Sequence, residues 1–393
     1  MSAALFERTA IRGMELPNRF VRSATWEGMA DEEGRPTPEL VRLYVELARG
    51  GVGLIVSGHA FVVPEGKAGH GQLGAHDDAL IPALRQFVEP VHEAGGKIAL
   101  QLAHGGLWSI AGAGSGWAAG AGAGCAPQPP GPSVRQTDSG AAGREMTIAE
   151  ITAVTAAFAA GARRAQEAGF DAVQIHAAHG YLLSEFLSPL FNKRTDGYGG
   201  PVAGRTRFAV EVAAAVRAVV GPDFPMLVKV NSEDFVAGGG TVADMLESAA
   251  FLVQAGVDAI ELSGGTSLSG DLGPLRTRAG MPQDREAYYE PACIMLKQKV
   301  SVPVILVGGI RTFEAAERLV AQGHADYVAL SRPLICEPDL IARWQRGDRA
   351  PSMCRSDNRC FYKGLKREGV YCPHVTTRAA APDGGDRSEA TTG

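Results

Sequence analysis

Short runs rich in Val, Ile and Leu recur eight times along the chain, each followed by a longer amphipathic stretch. This alternation restricts the fold more than any other feature, because it is the pattern of parallel strands joined by crossover helices. The runs occupy 19–24, 53–58, 97–102, 171–176, 226–231, 258–263, 303–308 and 326–331. Between them, 148–168 carries Ile151, Val154, Phe158, Ala162 and Ala165 at the three-to-four spacing of a helix packed on a sheet. Gly95, Gly169, Gly256 and Gly323 stand where left-handed helix ends are expected, each a few residues before the next run.

Two α/β architectures accommodate eight such units: an open doubly wound sheet and a closed (β/α)8 TIM barrel. No strand leads into G-x-G-x-x-G, and G-x-x-x-x-G-K-[ST] is absent, so the barrel fits better. The 393 residues exceed the roughly 250 that a barrel typically takes, leaving room for loop excursions and an extension. With 45% apolar and 21% charged residues the chain can bury a sizeable core. The expected organisation is a single barrel domain over 1–345, a C-terminal extension over 346–378, and a disordered tail over 379–393, where small polar residues offer little to bury. The Ala/Gly-rich run 112–124 lacks a preceding strand and reads as an excursion rather than a phosphate loop.

The formal net charge of −5 comes from mixed acids and bases without long runs, which gives no footprint for nucleic acid or anionic lipid. A small-molecule substrate is the better expectation. Neither an export leader nor an apolar stretch approaching about 20 residues is present, so the reading is cytoplasmic. Cys125, Cys293, Cys336, Cys354, Cys360 and Cys372 are accordingly expected as reduced thiols.

In a barrel of this kind, chemistry is carried by residues at the C-terminal ends of the strands. Those ends read Ser23-Ala24-Thr25-Trp26, Gly58, Gln101 to His104, His176 to Tyr181, Lys229 with Asn231, Gly308-Gly309 and Ser331-Arg332. Loops after the last two strands commonly hold a phosphate through glycine-exposed N–H groups, and Arg332 would add a bidentate clamp. The competing reading of the glycines is an ordinary turn. His176, His179 and Tyr181 bring three hydrogen-bonding side chains to one strand end and imply acid–base or oxyanion work. Their rivals are a buried, satisfied histidine and a zinc site, although zinc needs a third ligand and no H-E-x-x-H motif occurs. Lys229 and Gln101 also admit structural roles inside the barrel.

Four segments in order, Asn18-Arg19, QLAHGG from Gln101, HAAHGYLLSEFLSPLFNKRTDGYGG from His176, and LSRP from Leu330, carry a family resemblance. From about Leu5 to about Leu340 the chain resembles the old yellow enzyme family of FMN-dependent oxidoreductases. The resemblance implies FMN as cofactor and NAD(P)H as reductant. Ala24 and Thr25 would touch the flavin edge, Gly58 would belong to the same cofactor set, and Gln101 would bond the pyrimidine ring. Lys229 would face flavin N1 and O2, while Gly308, Gly309, Ser331 and Arg332 would hold the phosphate.

It further implies reduction of activated C=C bonds in α,β-unsaturated carbonyl compounds. His176 and His179 would grip the carbonyl oxygen, hydride would pass from flavin N5 to the β-carbon, and Tyr181 would protonate the α-carbon. Two alternatives are an oxidative amine or N-methyl demethylase and a non-catalytic flavin-binding electron-transfer or sensor protein. A homo-oligomer, dimer or tetramer, is expected by the same resemblance.

Trp26 departs from the family, which often places Thr or Cys there to tune the flavin. Cys354, Cys360 and Cys372 resemble three of the four iron–sulfur ligands of longer relatives akin to dienoyl-CoA reductases and amine dehydrogenases. Asp357 stands where the second cysteine belongs. A degenerate remnant without bound metal is expected, in a chain ending before the nucleotide-binding domains of those relatives. Trp108 and Trp117 are candidates for lining the substrate pocket.

Overall fold

The computed structural model describes residues 4–110, 128–137, 140–277, 286–366 and 368–375. The run 112–124, Trp117, Cys125 and the tail 379–393 lie outside them. Eight parallel strands form the barrel: β1 (Phe20–Arg22), β2 (Leu54–Val56), β3 (Ile98–Ala103), β4 (Ala172–Ala177), β5 (Met226–Asn231), β6 (Ala259–Ser263), β7 (Val304–Val307) and β8 (Tyr327–Leu330). Each pairs with the next, and β8 pairs with β1 to close the ring. Six fall within the expected runs, and β3 and β4 each begin inside theirs and end one residue beyond it. The chain is a (β/α)8 TIM barrel.

Period-two alternation sorts the strand residues. Phe20, Leu100, Val173, Val228 and Ile260 face outward into the main core against the helices. Those helices include α1 (Pro38–Arg49), α2 (Ile81–Glu93) and α3 (Ile148–Ala168), and all five expected apolar positions of α3 are buried. A capping box between Thr147 and Glu150 starts α3, and Gly169 at φ +95° ends it. Gly95, Gly256 and Gly323 likewise have φ of +80°, +95° and +69°.

The opposite faces point inward. At the N-terminal end Val21, Leu54, Ala99, Ala172, Leu227, Ala259, Ile305 and Tyr327 form an apolar layer. It is sealed by Ile11, Met14 and Leu16 from an antiparallel hairpin of Thr9–Ile11 and Met14–Leu16. With the bottom plugged, polar side chains one layer higher can converge only on the C-terminal mouth. Among the described residues no helix is long and apolar enough to cross a membrane.

Candidate functional site

The second inward layer is polar. Gln101, Gln174, Lys229 and Glu261 stand within β3, β4, β5 and β6, Ser23 directly follows β1, and all five are nearly or fully buried. Gln101 Nε2 donates to Gln174 Oε1 (2.7 Å), and Gln174 Nε2 donates to Glu261 Oε2 (2.8 Å). Ser23 Oγ donates to Glu261 Oε1 (2.5 Å) and accepts from Lys229 Nζ (2.8 Å), which also lies 2.9 Å from Glu261 Oε1.

The third layer is the mouth. His176 sits beside Lys229 in the register of β4 and β5. Its ring lies 5.3 Å from His179 and 5.0 Å from Tyr181 between centroids, and its buried Nδ1 has no partner. His179 takes a left-handed φ of +65°, held by its amide donating to Asn231 Oδ1 (3.0 Å). Its Nε2 lies 2.7 Å from Ser263 Oγ at the end of β6. The strand end thus brings together the three residues the sequence singled out.

His59 joins them and was missed. It lies one residue beyond Gly58, at a strand end like the others, and its Nε2 is 3.3 Å from the Tyr181 hydroxyl. Burial, then the Lys229 charge, pushes its pKa down to about 4. Burial also carries His176 and His179 well below the ordinary histidine value, with further lowering of His176 by His179. Tyr181 is pushed up to about 12 by burial alone. Near neutral pH the mouth therefore holds neutral imidazoles and a protonated phenol. Glu261 was missed as well, though a carboxylate between apolar neighbours in the run AIELS was its signal.

Gly308, Gly309, Ser331 and Arg332 line one open cleft with Tyr288, Tyr289, Arg311 and Ser356. Gly308 has φ +131°, and a Cβ there would stand 2.8 Å from the Tyr289 ring, so only glycine leaves the cradle open. Thr25 Oγ1 bonds Ser331 Oγ (2.7 Å), tying the end of β1 to that of β8, with Ala24 beside it. Arg332 Nη1 donates to the Arg276 carbonyl and to Asn358 Oδ1, both at 2.7 Å.

Gly58 has a packing reason to be glycine. A Cβ would stand 2.2 Å from Glu27 Oε2, and the Gly58 amide donates to Tyr44 Oη (2.9 Å). Arg22 and Tyr44 both donate to Glu27 Oε1 at 2.7 Å, completing a buried cluster between β1 and α1.

Trp26 is occupied by the C-terminal extension. Its indole packs with Cys360, Phe361 and Val370, and Nε1 donates to the His70 carbonyl (3.0 Å). Trp108 stands near Gly180, next to Tyr181, with its Nε1 buried and unpartnered. The five described cysteines are free thiols, and Cys372 Sγ lies 3.4 Å from Cys336 Sγ. Burial raises the Cys354 thiol and pushes Cys360 up to about 12. Asp357 is turned to His374 Nε2 (2.6 Å), and among the described residues no group of three or more His, Cys, Asp or Glu side chains is arranged to hold a metal ion.

A family profile described as NADH:flavin oxidoreductase / NADH oxidase matches residues 4–350. The chain belongs to this family. Among curated relatives it is 36% identical over 347 residues to an NADH oxidase of Thermoanaerobacter brockii, covering 87% of this chain and 51% of that protein. It is 34% identical over 339 residues to an NADPH dehydrogenase of a Geobacillus species, covering 86% and 92%. The chain thus spans about half the length of the first of these relatives. Among solved structures, a 2-naphthoyl-CoA reductase complexed with 2-naphthoyl-CoA superposes with a TM-score of 0.84 at 26% identity, covering 94% of this chain and 56% of that one. The old yellow enzyme homologue of Zymomonas mobilis gives 0.72 at 25%, covering 90% and 96%.

The family's chemistry is that of FMN and NAD(P)H, and the residues fit such a group. The mouth offers an amide and a cation for a pyrimidine edge, and a glycine cradle beside Arg332 for a phosphate. His176 Nδ1 is a buried ring nitrogen still lacking a partner.

Proposed function

We propose that this NAD(P)H-dependent flavin oxidoreductase reduces activated C=C bonds of α,β-unsaturated carbonyl compounds. FMN, when bound, supplies the hydride chemistry. Gln101 and Lys229 hold its pyrimidine edge, Ala24 and Thr25 flank it, and Gly308, Gly309, Ser331 and Arg332 hold its phosphate. His176 and His179 bind the substrate carbonyl oxygen, and Tyr181 delivers a proton to the α-carbon.

The observation that carries this reading is the neutral pair of buried His176 and half-buried His179 beside a Tyr181 phenol pushed up to about 12. Each neutral imidazole has one N–H to donate to an oxygen that gains negative character, an interaction worth about 3 kcal/mol when preorganised. A cationic amine substrate gains nothing from two donors, which disfavours a demethylase. A protonated phenol can act as general acid without further tuning, and such a group typically supplies about 10²–10⁴-fold.

The test separates the two half-reactions. Tyr181→Phe should leave reduction of the bound flavin by NADPH or NADH close to wild type, and slow reoxidation by cyclohexenone or maleimide about 10²-fold or more. Undiminished reoxidation would overturn the assignment of Tyr181. Absence of any alkene-dependent NAD(P)H consumption by wild type would overturn the ene-reductase reading as a whole.

A further inference from the structure

The polar layer below the mouth contains a carboxylate with no part in the scheme above. Glu261 is fully buried, and its two oxygens accept hydrogen bonds from Ser23 and Gln174, with Lys229 Nζ 2.9 Å from Oε1. Because an ionised carboxylate only accepts, it dictates the direction of the chain beside it. Gln174 must turn its NH2 group to Glu261, which leaves its carbonyl oxygen for Gln101 Nε2 at 2.7 Å. Gln101 is thereby fixed with its own carbonyl oxygen and one N–H left for a ligand. One carboxylate thus orients Gln101 and neutralises Lys229.

We propose that Glu261 is a positioning residue that lowers the reduction potential of the bound flavin. The inference rests on the placement of Lys229 at the flavin N1 and O2 edge given under Proposed function. A lone buried cation there would stabilise the negative charge that the ring acquires on reduction, and raise the potential. With a carboxylate 2.9 Å away, the ligand meets a dipole in place of a full charge, and most of that stabilisation is cancelled. The bound flavin is then a stronger reductant towards substrate and a weaker acceptor of hydride from NAD(P)H. If Glu261 served only to keep Lys229 folded inward, its removal would cost stability without this electrical signature.

The experiment measures the midpoint potential of holoenzyme by anaerobic dye equilibration, with FMN content determined for each variant. Glu261→Gln should shift the two-electron equilibrium at least tenfold towards reduced flavin, about 30 mV more positive. Lys229→Met should shift it in the opposite direction, and Lys229→Met/Glu261→Gln should return to within about 15 mV of wild type, a roughly threefold change in the equilibrium. An unchanged potential in Glu261→Gln while Lys229→Met moves would sink the role of Glu261 alone. An unchanged potential in Lys229→Met would sink the placement of Lys229 and the inference with it. Should Glu261→Gln fail to fold or retain FMN, the double variant decides, since it leaves no unpaired buried charge. A departure from wild type as large as that of Lys229→Met then overturns the proposal.

Discussion

His59, His104 and His176 are buried and His179 is half-buried, and all four have depressed pKa values, the first two at about 4 and about 3. In the unfolded chain each would titrate near 6.5. Between that value and the folded pKa the unfolded state binds more protons, so stability is full above pH 6.5 and is lost as pH falls. Each such histidine costs up to about 1.4 kcal/mol per pH unit across that window. Urea unfolding between pH 7 and 4.5 should therefore show a falling midpoint, and His59→Gln should flatten the slope by one proton's worth. An identical slope in wild type and variant would mean that His59 is not held neutral. A second residue-scale outcome concerns Glu27, which accepts from both Arg22 and Tyr44 in a buried site. Glu27→Ala leaves the Arg22 guanidinium unpaired and should cost about 3–5 kcal/mol in chemical denaturation. The same cluster explains why Gly58 could not be interpreted from sequence alone: a glycine at a strand end serves a cofactor or a neighbouring carboxylate equally well, and only the Glu27 carboxylate standing where a Cβ would go shows the second use.

At the scale of elements, the strands were legible because each is bounded by glycine or polar residues and buried on both faces, which writes a continuous apolar run. The polar ends of β4 and β5 were legible for the converse reason, since His176 and Lys229 interrupt such runs at the position where barrel sites are built. What sequence could not show is which element a side chain turns towards. Trp26 directly follows the end of β1, yet its indole belongs to the packing of the segment Phe361–Leu365 and Val370. Contacts that stitch that extension to the mouth include the Val370 amide donating to the Glu27 carbonyl, Asn358 Nδ2 to the Leu275 carbonyl, and Arg332 Nη1 to Asn358 Oδ1. Asn358 is thus a bridge between the extension and the proposed phosphate clamp. Asn358→Ala should weaken FMN retention several-fold, a loss of about 1 kcal/mol per hydrogen bond, measured as the FMN dissociation constant by fluorescence. Trp26→Ala should expose the extension to limited proteolysis while leaving the barrel strands resistant. Equal FMN affinity in Asn358→Ala and wild type would show that the extension does not support the clamp.

The whole molecule divides along the barrel axis. Its lower end is an apolar plug, where Ile11, Met14 and Leu16 fill the ring and the Thr9 hydroxyl bonds Tyr327 Oη at 3.0 Å. Its upper end is polar, and the residues proposed to hold FMN come from β1, β3, β5, β7 and β8, which lie around the full circumference. A ligand spanning these strand ends stabilises the folded chain by mass action, about 2.7 kcal/mol at a free concentration 100 times its dissociation constant. The stabilisation should be local in origin. Gly308, Gly309, Ser331 and Arg332 surround an open cleft, whereas the plug has no ligand to lose. Removing FMN should therefore speed amide hydrogen exchange in the segments following β7 and β8 and around Thr25, with exchange in the Met14–Leu16 strand and in β2 unchanged. Adding FMN back should restore protection in the first group alone. Uniform loss of protection from mouth to plug would show instead that the ring depends on its cofactor for closure, and that the apolar layer is not the independent floor on which the site is built.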